Sequence, residues 1–168
     1  MRVAVTGTPG TGKTTATELL DAELEVVHLN EMIVQEGLVK GPDPDLDTLV
    51  ADMQAVEDRV RELNDVVIES HLAHHFAADR VIVLRCHPEA LTRRLRERGA
   101  GEAKIQENVD SEALDLILAE AVERHGEDRV YEIDTTDREP EDVAAEIDAV
   151  IAGQRDPRVG TVSFVDHL

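Results

Sequence analysis

The chain has 168 residues, the size of one domain with a small insert and long enough to bury a core. With no Trp, one Tyr, two Phe and a lone Cys86, the core must be aliphatic, and an intramolecular disulfide or a Cys-rich zinc ribbon is excluded. A net charge of −20 argues against broad nucleic-acid binding, which relies on cationic contacts to phosphate.

In chain order, residues 2–6 read as a buried strand and residues 13–21 as a helix opening from a glycine loop. A short strand over 25–29 and a helical segment to about Gly37 follow. Residues 41–45 (GPDPD) read as a turn, because the prolines break both regular patterns. Leu49, Met53, Val56, Val60 and Leu63 repeat at helical spacing on one face. Residues 66–69 and 80–84 are further strands. Pro88 marks a helix start, with Leu91 and Leu95 on its buried face, and Leu114, Ile117, Leu118, Ala121 and Val122 mark another helix. Residues 130–133 form a fifth strand, and Val143, Ile147, Val150 and Ile151 lie on a last helix. This alternation predicts an α/β three-layer sandwich: a five-stranded parallel sheet covered on both faces. The tail over 153–168 admits an added strand, a docked segment or loose chain.

The start of the chain shows no signal-peptide pattern, and no apolar run has membrane-spanning length, so a cytoplasmic location is expected. The acidity is not a disordered tail, because the carboxylates are spread through segments with clear apolar periodicity. It reads as a protein of a high-salt cytoplasm, where salt screens the self-repulsion.

The pattern GxxxxGK[ST] fits at Gly7, Gly12, Lys13 and Thr14, between an apolar strand and a helix, which is its required context. Gly10 and Gly12 let the backbone approach phosphates and turn its N–H groups inward. The positive end of the helix faces the anions. Lys13 is expected on the β and γ phosphates, and the Thr14 hydroxyl on Mg²⁺. The loop implies nucleotide binding without fixing the reaction.

A P-loop protein needs an acidic residue at another strand end to hold Mg²⁺ or its water. Glu69, after Val66-Val-Ile, is that candidate, and His71 two residues on is placed to position a water or move a proton. His71, His74 and His75, with Cys86-His87, match no metal-ligand spacing; His74 and His75 are expected in a solvated loop or in local hydrogen bonds. On the next helix, Arg94 and Arg98 fall on the side of Leu91 and Leu95, within reach of phosphates, whereas Arg93 and Arg96 fall opposite. Gly99 and Gly101 then bracket a candidate lid carrying Lys104, one of only three lysines, whose closure would bring cations to the developing charge.

The loop, the acidic strand end and the arginine–glycine segment together resemble the nucleoside monophosphate kinases, and among them the adenylate kinase isoenzyme 6 group, over about residues 1–152. The resemblance rests on TGTPGTGKTT (6–15), on the short Arg98-Gly99 lid and on Glu69-Ser-His71 in the place of the group's Asp-x-His. It implies one kinase domain over 1–152, with a monophosphate-binding region at about 28–51 and a lid at about 97–107. It implies ATP and Mg²⁺ as cofactors, phosphoryl transfer to a nucleoside monophosphate, usually AMP, and an ATPase activity. It also implies a role in late maturation of the small ribosomal subunit through a ribosomal-protein partner. Gly10, Thr11, Gly12, Lys13, Thr14 and Thr15 fall on the group's ATP loop, and Arg98 on its lid arginine. Three departures stand out: Glu69 replaces aspartate, Val34 stands near the place of the monophosphate-gripping arginine, and Ala100 where an aromatic can occur. Two other readings remain open here: an ATPase assembly factor with incidental kinase turnover, and another small-molecule P-loop kinase such as a shikimate-type enzyme. A signalling GTPase is not supported, because no Asn-Lys-x-Asp segment is present.

Overall fold

In the first strand, β1 (Arg2–Gly7), Val3 and Val5 point to one side and Ala4 to the other, and all three are buried. A strand apolar on both faces belongs in the middle of a covered sheet. In the computed structural model, which describes residues 1–43 and 48–167, β1 is the central strand of a parallel sheet. Its partners are β2 (Glu25–His28), β5 (Val66–Glu69), β6 (Arg80–Arg85) and β7 (Val130–Asp134), in the order β2-β5-β1-β6-β7.

Ala4, Ile68, Val81 and Val83 meet α2 (Leu29–Gln35), α3 (Met53–Arg61) and α6 (Leu116–His125) on one face. Val3, Val5, Val67, Ile82 and Leu84 meet α1 (Lys13–Thr17) and α7 (Pro140–Ile151) on the other. The expected three-layer sandwich with five parallel strands is therefore what forms. A smaller apolar cluster joins α4 (Pro88–Glu97) to α5 (Glu102–Ala113) through Leu91, Leu95 and Ile105.

Several local expectations are corrected. Residues 41–43 are not a turn: β3 (Val39–Asp43) and β4 (Thr48–Ala51) form a separate antiparallel pair. Each strand of such a ribbon keeps an unpaired side, where the N–H that Pro42 lacks is not needed. Residues 44–47 of the 41–45 and 28–51 segments lie outside the described residues. Leu49 belongs to β4, not to the helix, because Asp52 caps α3 by accepting from the Ala55 N–H at 3.2 Å and fixes its start. The first helix ends at Thr17 rather than at residue 21. Leu114 is exposed in the turn between α5 and α6, where Asp115 takes a left-handed φ of 56°. Residues 97–107 are the end of α4, a turn and the first half of α5.

The tail is docked. The Glu132 N–H donates to the Arg158 carbonyl at 2.9 Å and the Arg158 N–H to that of Val130 at 3.0 Å, and Phe164 is buried. Among the described residues, no helix is long and apolar enough to cross a membrane.

Candidate active site

Parallel strands deliver their C-terminal ends to one rim of the sheet, the usual place for ligands in such folds. Here β1 ends in the glycine loop, with β5 and β6 beside it. Gly10 and Gly12 both take φ 95°, and a Cβ on Gly10 would lie 2.8 Å from Leu91 Cδ1. Gly10 is thus required twice, by its backbone and by the close approach of α4.

Lys13 opens α1, and its Nζ donates to the Gly7 and Thr8 carbonyls at 2.9 and 3.2 Å. The loop wraps its own lysine, and burial pulls the ammonium down to about 8 against the opposing pull of Glu69. Glu69 Oε2 accepts from the Thr14 hydroxyl at 3.3 Å and lies 2.7 Å from His28 Nδ1. The β2–β5 register sets His28 beside Glu69, so the two side chains emerge together. His28 Nε2 is 3.6 Å from Glu18, so this ring stands between two carboxylates.

His71 is half-buried next to them. Burial first, then the Lys13 charge, holds its imidazole down at about 4, so the ring is neutral near pH 7. Asn30 accepts from the Ser70 hydroxyl at 2.7 Å, and its Nδ2 lies 3.5 Å from His71 Nδ1.

Lys13, Thr14, Glu69, His71 and Asn30 line one cavity of about 850 Å³, with His28 just behind Glu69. Gly10, Thr11, Gly12, Lys13, Thr14 and Thr15 form its floor, Glu69, His71 and Asn30 one wall, and Arg94 and Arg98 another. Arg94 donates to the Gly10 carbonyl at 3.4 Å and to Thr135 through both guanidinium nitrogens, so it braces the loop. Arg98 is exposed at the rim, and its guanidinium has no hydrogen bond or ion pair among the described residues. Lys104 is not brought to the cavity. It lies exposed on α5, with Nζ 3.4 Å from Glu107 Oε2. Arg93 and Arg96 pair outward with Asp137 and Glu102 at 4.0 and 3.0 Å.

Thr14 and Glu69 fit a magnesium ion. Both present oxygen atoms, and their 3.3 Å separation is close to the roughly 3 Å between neighbouring ligands of an octahedral Mg²⁺ with bonds of about 2.1 Å.

A family model described as an AAA domain matches residues 3–115. A protein of Natronomonas pharaonis named "Putative adenylate kinase" is 59% identical over 168 residues, covering 100% of both chains. One of the same name from Halobacterium salinarum is 56% identical over 169 residues, again covering 100% of each, and one from Methanothermobacter thermautotrophicus is 46% identical over 169 residues, covering 99% of this chain and 98% of that one. The chain belongs to this archaeal adenylate kinase family of P-loop proteins.

The fold has wider relatives. A shikimate kinase from Aquifex aeolicus superposes with a TM-score of 0.58 at 18% identity, over 91% of this chain and 97% of that one. A deoxyadenosine kinase from M. mycoides, with bound dATP, gives 0.58 at 12% identity, over 90% and 100%. These show the P-loop kinase fold.

Within this family frame, sequence reasoning passed over His28, Asn30, Thr135 and Arg138. His28 ends an apolar strand just as Glu69 does (EVVH against VVIE), and that parallel was the available signal. Thr135 follows β7 at the same rim and donates to the Thr11 and Arg85 carbonyls at 3.0 and 2.8 Å. Nothing in its local sequence shows that loop partner, which lies 124 residues away.

His71→Ala is expected to lower kcat by about 10²-fold, the usual scale of losing a group that positions a reacting atom, with a smaller effect on ATP affinity. Single-turnover rates beside equilibrium ATP titrations separate the two. A variant weakened only in binding would remove His71 from the chemical step.

Proposed function

We propose that the protein is a nucleoside monophosphate kinase that transfers the terminal phosphoryl group of ATP to a monophosphate, AMP by preference. The observation that carries this reading is the cavity in which the Lys13 loop faces Glu69, His71 and Arg98. An oxygen of the acceptor phosphate attacks the γ-phosphorus, the bond to the β–γ bridging oxygen breaks, and ADP leaves carrying that electron pair. Lys13 and Arg98 neutralise charge spreading over the transferred group, the Thr8–Gly12 backbone orients the donor phosphates, and neutral His71 orients the attacking oxygen. Mg²⁺ held by Thr14 and Glu69, directly or through water, would neutralise the donor's β and γ oxygens. We place the acceptor on the side of His28 and Asn30, in the 28–51 region, and treat 97–107 as the segment that closes with Arg98. The net charge of −20, and halophilic archaeal relatives that match the chain end to end, support a high-salt cytoplasm as the working environment.

A second reading is favoured by Val34, which is 61% exposed near the place where the isoenzyme 6 resemblance puts a monophosphate-gripping arginine. A weakly held acceptor leaves water as the alternative nucleophile, and the protein as an ATPase assembly factor with a basic small-subunit ribosomal protein as partner.

Incubation with ATP and Mg²⁺ in molar salt, with each monophosphate in turn, tests both. ADP formation that depends on AMP, with two ADP made per AMP consumed, is the expected result. Phosphate release indifferent to every monophosphate would overturn the kinase reading.

A further inference from the structure

The segment after the phosphate-facing end of β5 folds into a 3-10 turn, Ala73–His75, packed against α6. Of the two expectations for His74, a solvated loop or local hydrogen bonds, the solvated loop does not hold, because the residue is 1% exposed. Its ring is held at both nitrogens. Nδ1 lies 2.7 Å from the Thr6 hydroxyl of β1, and Nε2 lies 2.7 Å from Glu120 Oε2 of α6. His75 Nε2 is 3.6 Å from that same carboxylate oxygen, and the two rings lie against one another with centroids 4.3 Å apart. The three donor atoms lie within 4.8 Å of one another.

We propose that His74, His75 and Glu120 form a site for a divalent transition-metal ion, zinc by preference, with a fourth position open to water on the Glu120 side. Two imidazoles and one carboxylate are a donor set that zinc takes readily, with an open position for water. Hard cations such as Mg²⁺ and Ca²⁺ favour all-oxygen sites, so the ion at Thr14 and Glu69 and the ion here are selected by different chemistry.

The support behind the site is also built. A ligating histidine ordinarily donates its other ring N–H to an oxygen that fixes its orientation. The Thr6 hydroxyl serves that purpose because it can either donate or accept. When Nε2 takes the metal, Nδ1 carries the proton and donates to Thr6 Oγ1. The carbonyls of the turn are occupied: His125 Nε2 lies 2.7 Å from that of His74, and Arg124 donates to that of His75 at 3.3 Å. Arg124 is a cationic neighbour opposing the ion, held by that carbonyl contact. Sequence spacing hides the site because Glu120 comes 45 positions after His75, from another element. Since Thr6 precedes Gly7, a bound metal would pin the 3-10 turn, α6 and the strand that carries the phosphate loop to one another. This tie does not depend on which acceptor the kinase uses.

The test is a cobalt(II) titration of metal-stripped protein in chloride-free molar salt. One equivalent is expected to develop the intense visible bands of a tetrahedral ion, to be displaced by one equivalent of zinc, and to raise the melting temperature. His75→Ala and Glu120→Gln change side chains that are 24% and 48% exposed, so folding should survive and is checked by circular dichroism. Each should lose the tetrahedral spectrum and weaken cobalt binding by roughly 100-fold or more, on the scale seen when shells around a metal are disturbed. His167→Ala, which removes one ring of the separate His87–His167 pair, should leave the spectrum intact. A pale octahedral spectrum in the native protein, or full tetrahedral bands in both His75→Ala and Glu120→Gln, would overturn the proposal.

Discussion

Lys13→Ala is expected to reduce nucleotide turnover by about 10²–10³-fold, whichever acceptor is used, because it removes a preorganised charge from the transferring phosphates. The lysine is tied to the Gly7 and Thr8 carbonyls, so it already stands inside the loop. The same burial predicts a pH signature. The Lys13 ammonium sits at about 8, so raising the pH through 8 discharges it in the free enzyme. The ratio kcat/KM for ATP should therefore hold constant below pH 8 and fall above it. Bound phosphates favour the charged form, so kcat should fall only at higher pH. Lys13→Ala should lose this alkaline limb along with the rate. Steady-state kinetics across pH 6 to about 10, with circular dichroism to confirm folding, checks both parts. An unchanged rate in the variant would refute the site.

What was legible in the sequence is what local pattern encodes. Strands apolar on both faces, such as 66–69, and helices with a clear stripe, such as that of Leu91 and Leu95, fall where periodicity puts them. The phosphate loop was legible because its residues act through their own backbone within a few positions. The misses share a different cause. Helix α5 buries Ile105, Asn108, Glu112 and Ala113, so half of its inner face is polar and its stripe cannot be seen. Glu112 is buried because Arg85, the Cys86 N–H and the Thr8 hydroxyl meet it, and all of these lie far from it in sequence. His28, His74 and Thr135 are likewise defined by partners on other elements, far from them in sequence. Lys104 stood out as a rare lysine near glycines, yet it does not line the cavity and lies 3.4 Å from Glu107. Pro42 and Leu49 were misread because a two-stranded ribbon tolerates a proline and carries no long apolar alternation.

The largest stability effect should come from Arg85, at the end of β6. This side chain is 1% exposed and meets Glu132 at 2.7 Å, Glu112 at 3.1 Å and Asp115, with the Phe164 ring 5.2 Å from its guanidinium carbon. Burial pushes the Glu112 carboxyl up, and the Arg85 charge opposes that. Glu132 in turn accepts from the Thr161 N–H and hydroxyl at 2.7 and 2.8 Å, so one guanidinium ties β6, β7, α5 and the docked tail into a single cluster. Arg85→Leu should cost about 3–5 kcal/mol, the usual result of leaving buried charges without their partner. At about 2–4 °C per kcal/mol for a chain of this size, the melting temperature in molar salt should drop by roughly 6–20 °C. Arg85→Lys should recover only part of the loss, because one ammonium cannot reproduce a planar fork that faces three carboxylates at once. Because Glu132 would lose its cation while keeping the Thr161 hydrogen bonds, proteolysis after residue 153 should rise more in Arg85→Leu than in Thr161→Val. Equal melting temperatures for the native chain and Arg85→Leu would mean that the cluster only breaks even against apolar packing, an outcome known for some buried ion pairs when the whole set is replaced but not when a single partner is removed.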